Sequence, residues 1–329
     1  GSKLATLRGV GVRSPREHDT AEAFLQSLVE ECAADHPEAI IVDCSASAAT
    51  VPALLLAAHR LRVVSANKKP FADSSMATFS RLARTPSSPA RVRYEATVGA
   101  GLPVVATLSR LVSAHDPVHL ISGCLSGSLG YITGGLQAGE SFSSVTVRAK
   151  RLGFTEPDPR DDLGGVDVAR KALILARTLG MHAEMGDVEL EPLCPPQLAS
   201  LPLDQFMAAL PSLDEDFAAR VAAAAANGCV LRYVATVRPP AQRGGRGRLT
   251  VGLAGVPADS PLGSLRGTDN LVEMTTDVYA TTPLVLRGAG AGAGATASGV
   301  LSDMVELAYT GTPTVATRPP HEVSDRPLS

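Results

Sequence analysis

The sequence predicts an α/β molecule in which an open parallel sheet covered by helices is followed by a mixed α+β domain. Three observations predict it. Up to about residue 95, short β-rich runs alternate with helical patterns, the signature of a parallel sheet wound between helices. The run Ala39-Ile-Ile-Val-Asp-Cys-Ser45 has its polar residues only at its end, as strands do when they deliver groups to a crevice at their carboxyl edge. Beyond Glu95 the alternation gives way to a helix-rich stretch and then to a series of β-like segments.

In order, residues 4–12 read as a strand, 17–32 as a helix, 39–44 as a strand, 48–60 as a helix and 62–65 as a strand. The second part opens with a helix over 101–114 and a strand over 118–124, and stays helix-rich to about Gly186. Strand-like runs follow at 230–237, 249–253, 270–276 and 284–286, before an apolar helix over 295–309. The Gly- and Arg-rich stretch 242–248 lies between two of these runs and reads as an exposed hairpin connection rather than a basic binding patch. Residues 311–329 are rich in Pro and Ser without apolar period, so a disordered tail is expected.

At 329 residues the chain can bury two cores, and its formal charge of −3, with Lys and Arg scattered, leaves no basic face for nucleic acid or anionic lipid. No apolar run approaches the ~20 residues of a spanning helix. The five cysteines are odd in number, widely spaced and never arranged as C-x-x-C, which argues against a disulfide framework and against a thiolate zinc site. A reduced, soluble, intracellular protein with small-molecule partners is expected, without nucleic acid or membrane. His115 and His119 have helical ligand spacing, but Pro117 between them removes the zinc reading.

Four clusters can carry chemistry. In Gly153-Phe-Thr-Glu-Pro-Asp-Pro-Arg-Asp-Asp-Leu163, two prolines fix an extended loop that holds Glu156 and Asp158 by backbone constraint. The pattern then turns helical and sets Asp167 and Lys171 four residues apart on one face. They are either an exposed ion pair or, since this helix is apolar, a pair facing a cleft where a partly desolvated lysine exchanges protons. Lys68, in Ser65-Ala-Asn-Lys-Lys-Pro70, is either a solvated strand end or a functional group at the sheet edge. In Glu95-Ala-Thr-Val98-Gly99-Ala100-Gly101-Leu102-Pro103, a tight turn can let carbonyls converge with the Glu95 carboxylate on a cation, or can simply join a strand to a helix. The glycines at 288, 290, 292 and 294 precede a helix and permit close approach of a phosphate or ring.

These clusters, in this order, resemble homoserine dehydrogenase over residues 4–309. The most specific stretches are Glu95 to Pro103, Ser126-Gly-Ser128, Gly153 to Leu163 and Asp167-Val-Ala-Arg-Lys171. Ser141-Phe-Ser, Ala176-Arg and Pro283-Leu-Val-Leu-Arg287 are similar to the C-terminal dehydrogenase half of bifunctional aspartokinase-homoserine dehydrogenases. The resemblance implies NAD(P)-dependent interconversion of L-homoserine and aspartate 4-semialdehyde, a step toward threonine, methionine and isoleucine. It implies a split Rossmann-type domain, residues 1–96 plus 290–310, around a catalytic and dimerisation domain over 97–289, in a homodimer or higher homo-oligomer.

By the same resemblance Lys171 is the general acid/base, Asp167 orients substrate, and Lys68 stands beside substrate and nicotinamide. Glu156 holds the amino-acid end, with Ser126 and Ser128 lining that pocket. Cys44, Ser45, Ala46, Gly153 and Gly292 fall on the cofactor side. Glu95 and the carbonyls of Val98, Ala100 and Leu102 resemble a site for sodium or another monovalent cation. Arg13 ends the first strand where an acidic residue would grip a ribose hydroxyl, which favours NADP over NAD.

The family's first strand and Gly-rich phosphate turn have no counterpart ahead of residue 4, so the chain is expected to be a fragment that binds NADP weakly or not at all. Its place is expected to be the cytoplasm, or the plastid stroma if a transit peptide precedes it. Two rival readings remain at this stage: a non-catalytic regulatory or oligomerisation module, and a dehydrogenase for another semialdehyde or hydroxyacid.

Overall fold

A computed structural model describes residues 20–83, 91–241 and 245–309. The strand expected over 4–12, Arg13, part of the 242–248 connection and the tail over 311–329 lie outside the described residues.

Helix α1 (Ala21–Asp35) starts at Thr20, whose hydroxyl accepts the Ala23 N–H at 3.2 Å. Strand β1 (Ile40–Asp43) follows, then α2 (Val51–Arg60), with Pro52 fixing the first turn and Arg60 placing positive charge at the carbonyl end. Strand β2 (Arg62–Ser65), the short α3 (Lys69–Ala72), α4 (Met76–Ala83) and β3 (Val92–Arg93) complete this part. The strands form one parallel sheet in the order β1-β2-β3, with Asp43 level with Ser65. Parallel register brings the carboxyl ends of β1 and β2 to one edge.

Helix α5 (Val104–Ser113) begins later than residue 101 because residues 99–102 form a turn, the Leu102 N–H returning to the Gly99 carbonyl at 3.0 Å, and Pro103 before the helix has a non-helical ψ of 56°. Strand β4 (Val118–Cys124) leads to α6 (Gly127–Gln137), α7 (Phe142–Arg151), α8 (Arg160–Leu163) and α9 (Val166–Thr178). Then come β5 (Val188–Leu190), α10 (Pro196–Ala199), α11 (Leu203–Ala209) and α12 (Asp214–Ala225). The chain continues through β6 (Cys229–Arg238), β7 (Arg248–Pro257), β8 (Asp269–Thr276) and β9 (Leu284–Ala289) to α13 (Ala293–Tyr309). The second sheet runs β5-β7-β6-β4-β8-β9, with β5 parallel to β7 and every other pairing antiparallel. Strand β7 extends past residue 253 because β6 pairs with it from Arg238↔Arg248 to Cys229↔Pro257.

One apolar cluster runs from Leu54, Val63 and Phe79 beside the parallel sheet to Leu173, Val251 and Met274 beside the larger one. Helix α9, with Val168, Ala169 and the run Ala172 to Arg177 buried, touches α3 and α4 on one side and β6 and β7 on the other. Helix α13 returns to the first sheet, packing Val300 and Leu307 with Val64 and Ala96. Glycine is required at this contact: a Cβ on Gly101 would meet the Ala295 carbonyl oxygen at 2.5 Å, and one on Gly299 would meet that of Ala100 at 2.7 Å. Among the described residues, no helix is long and apolar enough to cross a membrane.

Candidate active site

The carboxyl edge of the parallel sheet is organised by Asn67, which is 2% exposed. Its amide nitrogen donates to Asp43 Oδ2 at 2.9 Å and to the Ser47 carbonyl at 2.8 Å, and its amide oxygen accepts the Lys69 N–H at 3.1 Å. Asp43 in turn accepts the Ser45 N–H at 2.9 Å. The exposed Cys44, Ser45 and Ala46 and the half-buried Lys68 are thus held beside one another by a pair that the sequence reading did not single out.

Lys68 meets α9 across a cleft of about 710 Å³, lined by Ala46, Lys68, Ser126, Glu156, Asp162 and Asp167 among others. Asp167 Oδ1 lies 3.2 Å from Lys68 Nζ, and its Oδ2 lies 2.8 Å from Lys171 Nζ. Lys171 also donates to the Leu125 carbonyl at 2.7 Å, and its side chain is only 12% exposed. Asp167 lines the cleft with its side chain 46% exposed, and Lys171 is drawn in behind it. Burial works against the Asp167 anion, but the ammonium groups of Lys171 and Lys68 outweigh it and hold the carboxyl well below the usual carboxylate range.

The Pro-bounded loop is pinned by Asp162, a third residue that no sequence motif singles out. Its Oδ2 accepts the Glu156 N–H at 2.8 Å, and Ser128 Oγ lies 2.7 Å from Oδ1 and 2.6 Å from the Phe154 carbonyl. Burial pushes the Asp162 carboxyl up, against the Glu156 N–H and the Ser128 hydroxyl, which favour the anion. Asp158 turns the other way, into an ion pair with Arg160, whose guanidinium also reaches the Ala199 carbonyl at 3.1 Å. Glu156 is left with its carboxylate facing the cleft and no protein partner among the described residues. Ser126 caps α6, its hydroxyl accepting the Leu129 N–H at 3.3 Å.

The remaining expected residues are arranged differently. Gly153, with φ of 71°, ends α7: its N–H meets the Lys150 carbonyl and the next N–H meets that of Ala149. Gly292, with φ of 102°, precedes α13, and a Cβ there would meet nothing within 4 Å, so the space beside it is open. Glu95 holds the start of a helix: its two carboxylate oxygens accept the N–H groups of Val105 and Ala106, each at 2.7 Å, at the start of α5, and the Leu102 carbonyl accepts from Val104 at 2.8 Å. Each of these oxygens keeps a further lone pair, so the turn from Glu95 to Leu102 starts the helix without removing its oxygens as cation donors.

The cleft, with the exposed Ala46 on its rim, has a volume within the ~300–1,000 Å³ of small-molecule sites.

Known proteins resemble the chain along most of its length. The sequence model of the family described as homoserine dehydrogenase matches residues 103–305. The bifunctional aspartokinase/homoserine dehydrogenase 1, chloroplastic, of Zea mays is 37% identical over 95% of this chain and 35% of its own length. The homoserine dehydrogenase of Schizosaccharomyces pombe is 38% identical over 86% of this chain and 76% of its own. The chain thus spans about a third of the bifunctional relatives and most of the single-function one. Among solved structures, a Candida auris protein of unknown function superposes with a TM-score of 0.80 at 38% identity, over 86% of this chain and 80% of that one. A hyperthermophilic archaeal homoserine dehydrogenase in complex with NADPH shares the fold at a TM-score of 0.63 and 23% identity, over 87% and 75% of the two chains.

Proposed function

The chain belongs to the homoserine dehydrogenase family, and from that membership we propose that it interconverts L-homoserine and L-aspartate 4-semialdehyde with NADP, or NAD, as hydride carrier. The observation that carries this reading is the Asp167 carboxylate held between Lys68 and Lys171 on the wall of a cleft with an unpaired Glu156.

When bound, the nicotinamide gives or takes the hydride at the substrate's C4 carbon. The chain's own residues do the rest. Glu156 takes the α-ammonium group of the amino acid, a charge-assisted contact for which its carboxylate is otherwise unpartnered. Asp167 keeps two ammonium groups aimed at one place and orients the substrate between them. Lys171, in the drier position, exchanges the proton of the C4 hydroxyl, while Lys68 meets the same oxygen from the sheet side. Ser126 and Ser128 line the substrate end.

Cys44, Ser45, Ala46 and Gly292 border the nicotinamide nucleotide, and Arg13 accounts for a preference for NADP. No step is assigned to a cation. Residues 1–96 with 290–310 are assigned to the nucleotide-binding body and 97–289 to the catalytic body, through which two subunits pair.

In the complete enzyme, Lys171→Ala is expected to lower NADP-coupled oxidation of homoserine by about 10²–10⁴-fold, with NADPH affinity by fluorescence titration unchanged. Near-normal turnover removes Lys171 from its role, and a parent chain that oxidises other hydroxyacids but not homoserine removes the substrate assignment.

A further inference from the structure

Lys68 and Lys171 reach Asp167 from different parts of the fold. Lys171 rides with Asp167 on α9, whereas Lys68 precedes α3 at the edge of the parallel sheet. The ion pair alone cannot hold these parts together. Lys68 is 29% exposed on a flexible stem, so where its ammonium lies depends on the backbone that carries it.

Two contacts from α9 grip α3 instead. On the inner side Arg177, fully buried, directs Nη1 at the carbonyls of Phe71 and Ser74, each at 2.8 Å, and pairs with Glu184. On the other side Arg170, which lines the cleft, donates from Nε to Asp73 Oδ1 at 2.7 Å. Asp73 closes α3 at its C-terminus, and the Lys68 carbonyl accepts the N–H groups of Phe71 and Ala72 at 3.0 and 2.9 Å. With Pro70 in its first turn, this one-turn helix is a stiff arm carrying Lys68 at one end and Asp73 at the other. Arg177 and the buried Phe71, stacked on Tyr94, fix where the middle of the arm sits, and the Arg170–Asp73 pair ties its far end to α9.

We propose that Asp73 is a positioning residue: paired with Arg170, it sets the orientation of the α3 arm and so keeps the Lys68 ammonium on Asp167 in the cleft. This rests on reading the cleft as the active site. Lys68 would contact substrate, whereas Asp73 acts only through it.

The test is competitive acetylation of the full chain with acetic anhydride, read by mass spectrometry, with Lys150 on α7 as internal reference. Asp73→Asn is expected to raise the Lys68-to-Lys150 labelling ratio about threefold, the scale of a half-exposed ion pair. Asp73→Glu, which keeps the carboxylate, is expected to return it to the parent value. Arg177→Met can simply fail to fold, so the decision is placed on the half-exposed Asp73. An unchanged ratio in Asp73→Asn overturns the proposal, as does an equal rise in Asp73→Glu. Homoserine oxidation on the same samples reports on function separately. A complete enzyme that turns nothing over sinks the active-site reading while the labelling still decides the arm. In an active parent, Asp73→Asn is expected to lose several-fold in kcat at unchanged KM for NADP, and unaltered kcat and homoserine KM overturn the positioning role.

Discussion

Asp167 makes the charge balance of the cleft measurable. An unfolded aspartate titrates near pH ~3.9. In the fold, burial resists its charge but Lys171 and Lys68 overcome that resistance, so the folded carboxyl titrates lower. Stability from this depression is complete above the unfolded value and is lost as pH falls through the folded one. The gap in urea midpoint between the parent and Asp167→Asn is therefore expected to be constant from pH 7 to about 5 and to narrow below about 4. A gap of the same size at pH 3 would mean that the carboxylate's charge is not what the lysines hold. At this scale, Asp167 and Lys171 were legible because helical spacing alone sets them on one face. Asn67 and Asp43 were not, because their meeting depends on the parallel register that levels Asp43 with Ser65. Nor does sequence say which of Asp161 and Asp162 turns in toward Ser128.

The helix that carries the site depends on how it starts. Gly165 precedes α9 with φ of 70°, and a Cβ there would stand 2.0 Å from Tyr233 Oη, which donates to the Glu191 carbonyl at 2.8 Å. Left-handed backbone costs an L-residue roughly 1–2 kcal/mol before any clash. Gly165→Ala is expected to lose more than about 2 kcal/mol in urea unfolding and to raise homoserine KM, since Asp167 begins the first turn beyond it. Adding Tyr233→Phe removes the clashing oxygen and is expected to restore part of the loss. If the double variant is no more stable than Gly165→Ala, the strain lies in the backbone alone. Strand existence was read well from β-rich runs, including residues 62–65 and 118–124. What escaped were elements set by partners: β3 is two residues long and exists because Val92 lies beside Val63, and β5 because it joins the edge of β7. The hold of Glu95 on α5 escaped for a similar reason. Until α5 is known to start at Val104, nothing in the sequence points its carboxylate at that helix.

The two sheets do not make two independent cores. Chains of this length often unfold domain by domain. Here Leu54, Val63 and Phe79 belong to the same apolar cluster as Leu173, Val251 and Met274, and buried α9 touches elements of both sheets. Arg177 adds polar cross-links, since unmaking its contacts with the carbonyls of Phe71 and Ser74 would leave buried groups unsatisfied. Separating the sheets thus exposes core on both sides at once, and neither half retains a complete apolar face. A single cooperative transition is expected. With no tryptophan in the chain, tyrosines serve as probes: Tyr94, stacked on Phe71, reports the parallel-sheet side, and Tyr233 on β6 reports the larger sheet. In single-tyrosine variants, urea midpoints from the two positions are expected to coincide with each other and with far-UV circular dichroism. A midpoint at Tyr94 well below that at Tyr233 would show that the parallel sheet detaches first, and α9 would then be a hinge between two bodies rather than the centre of one.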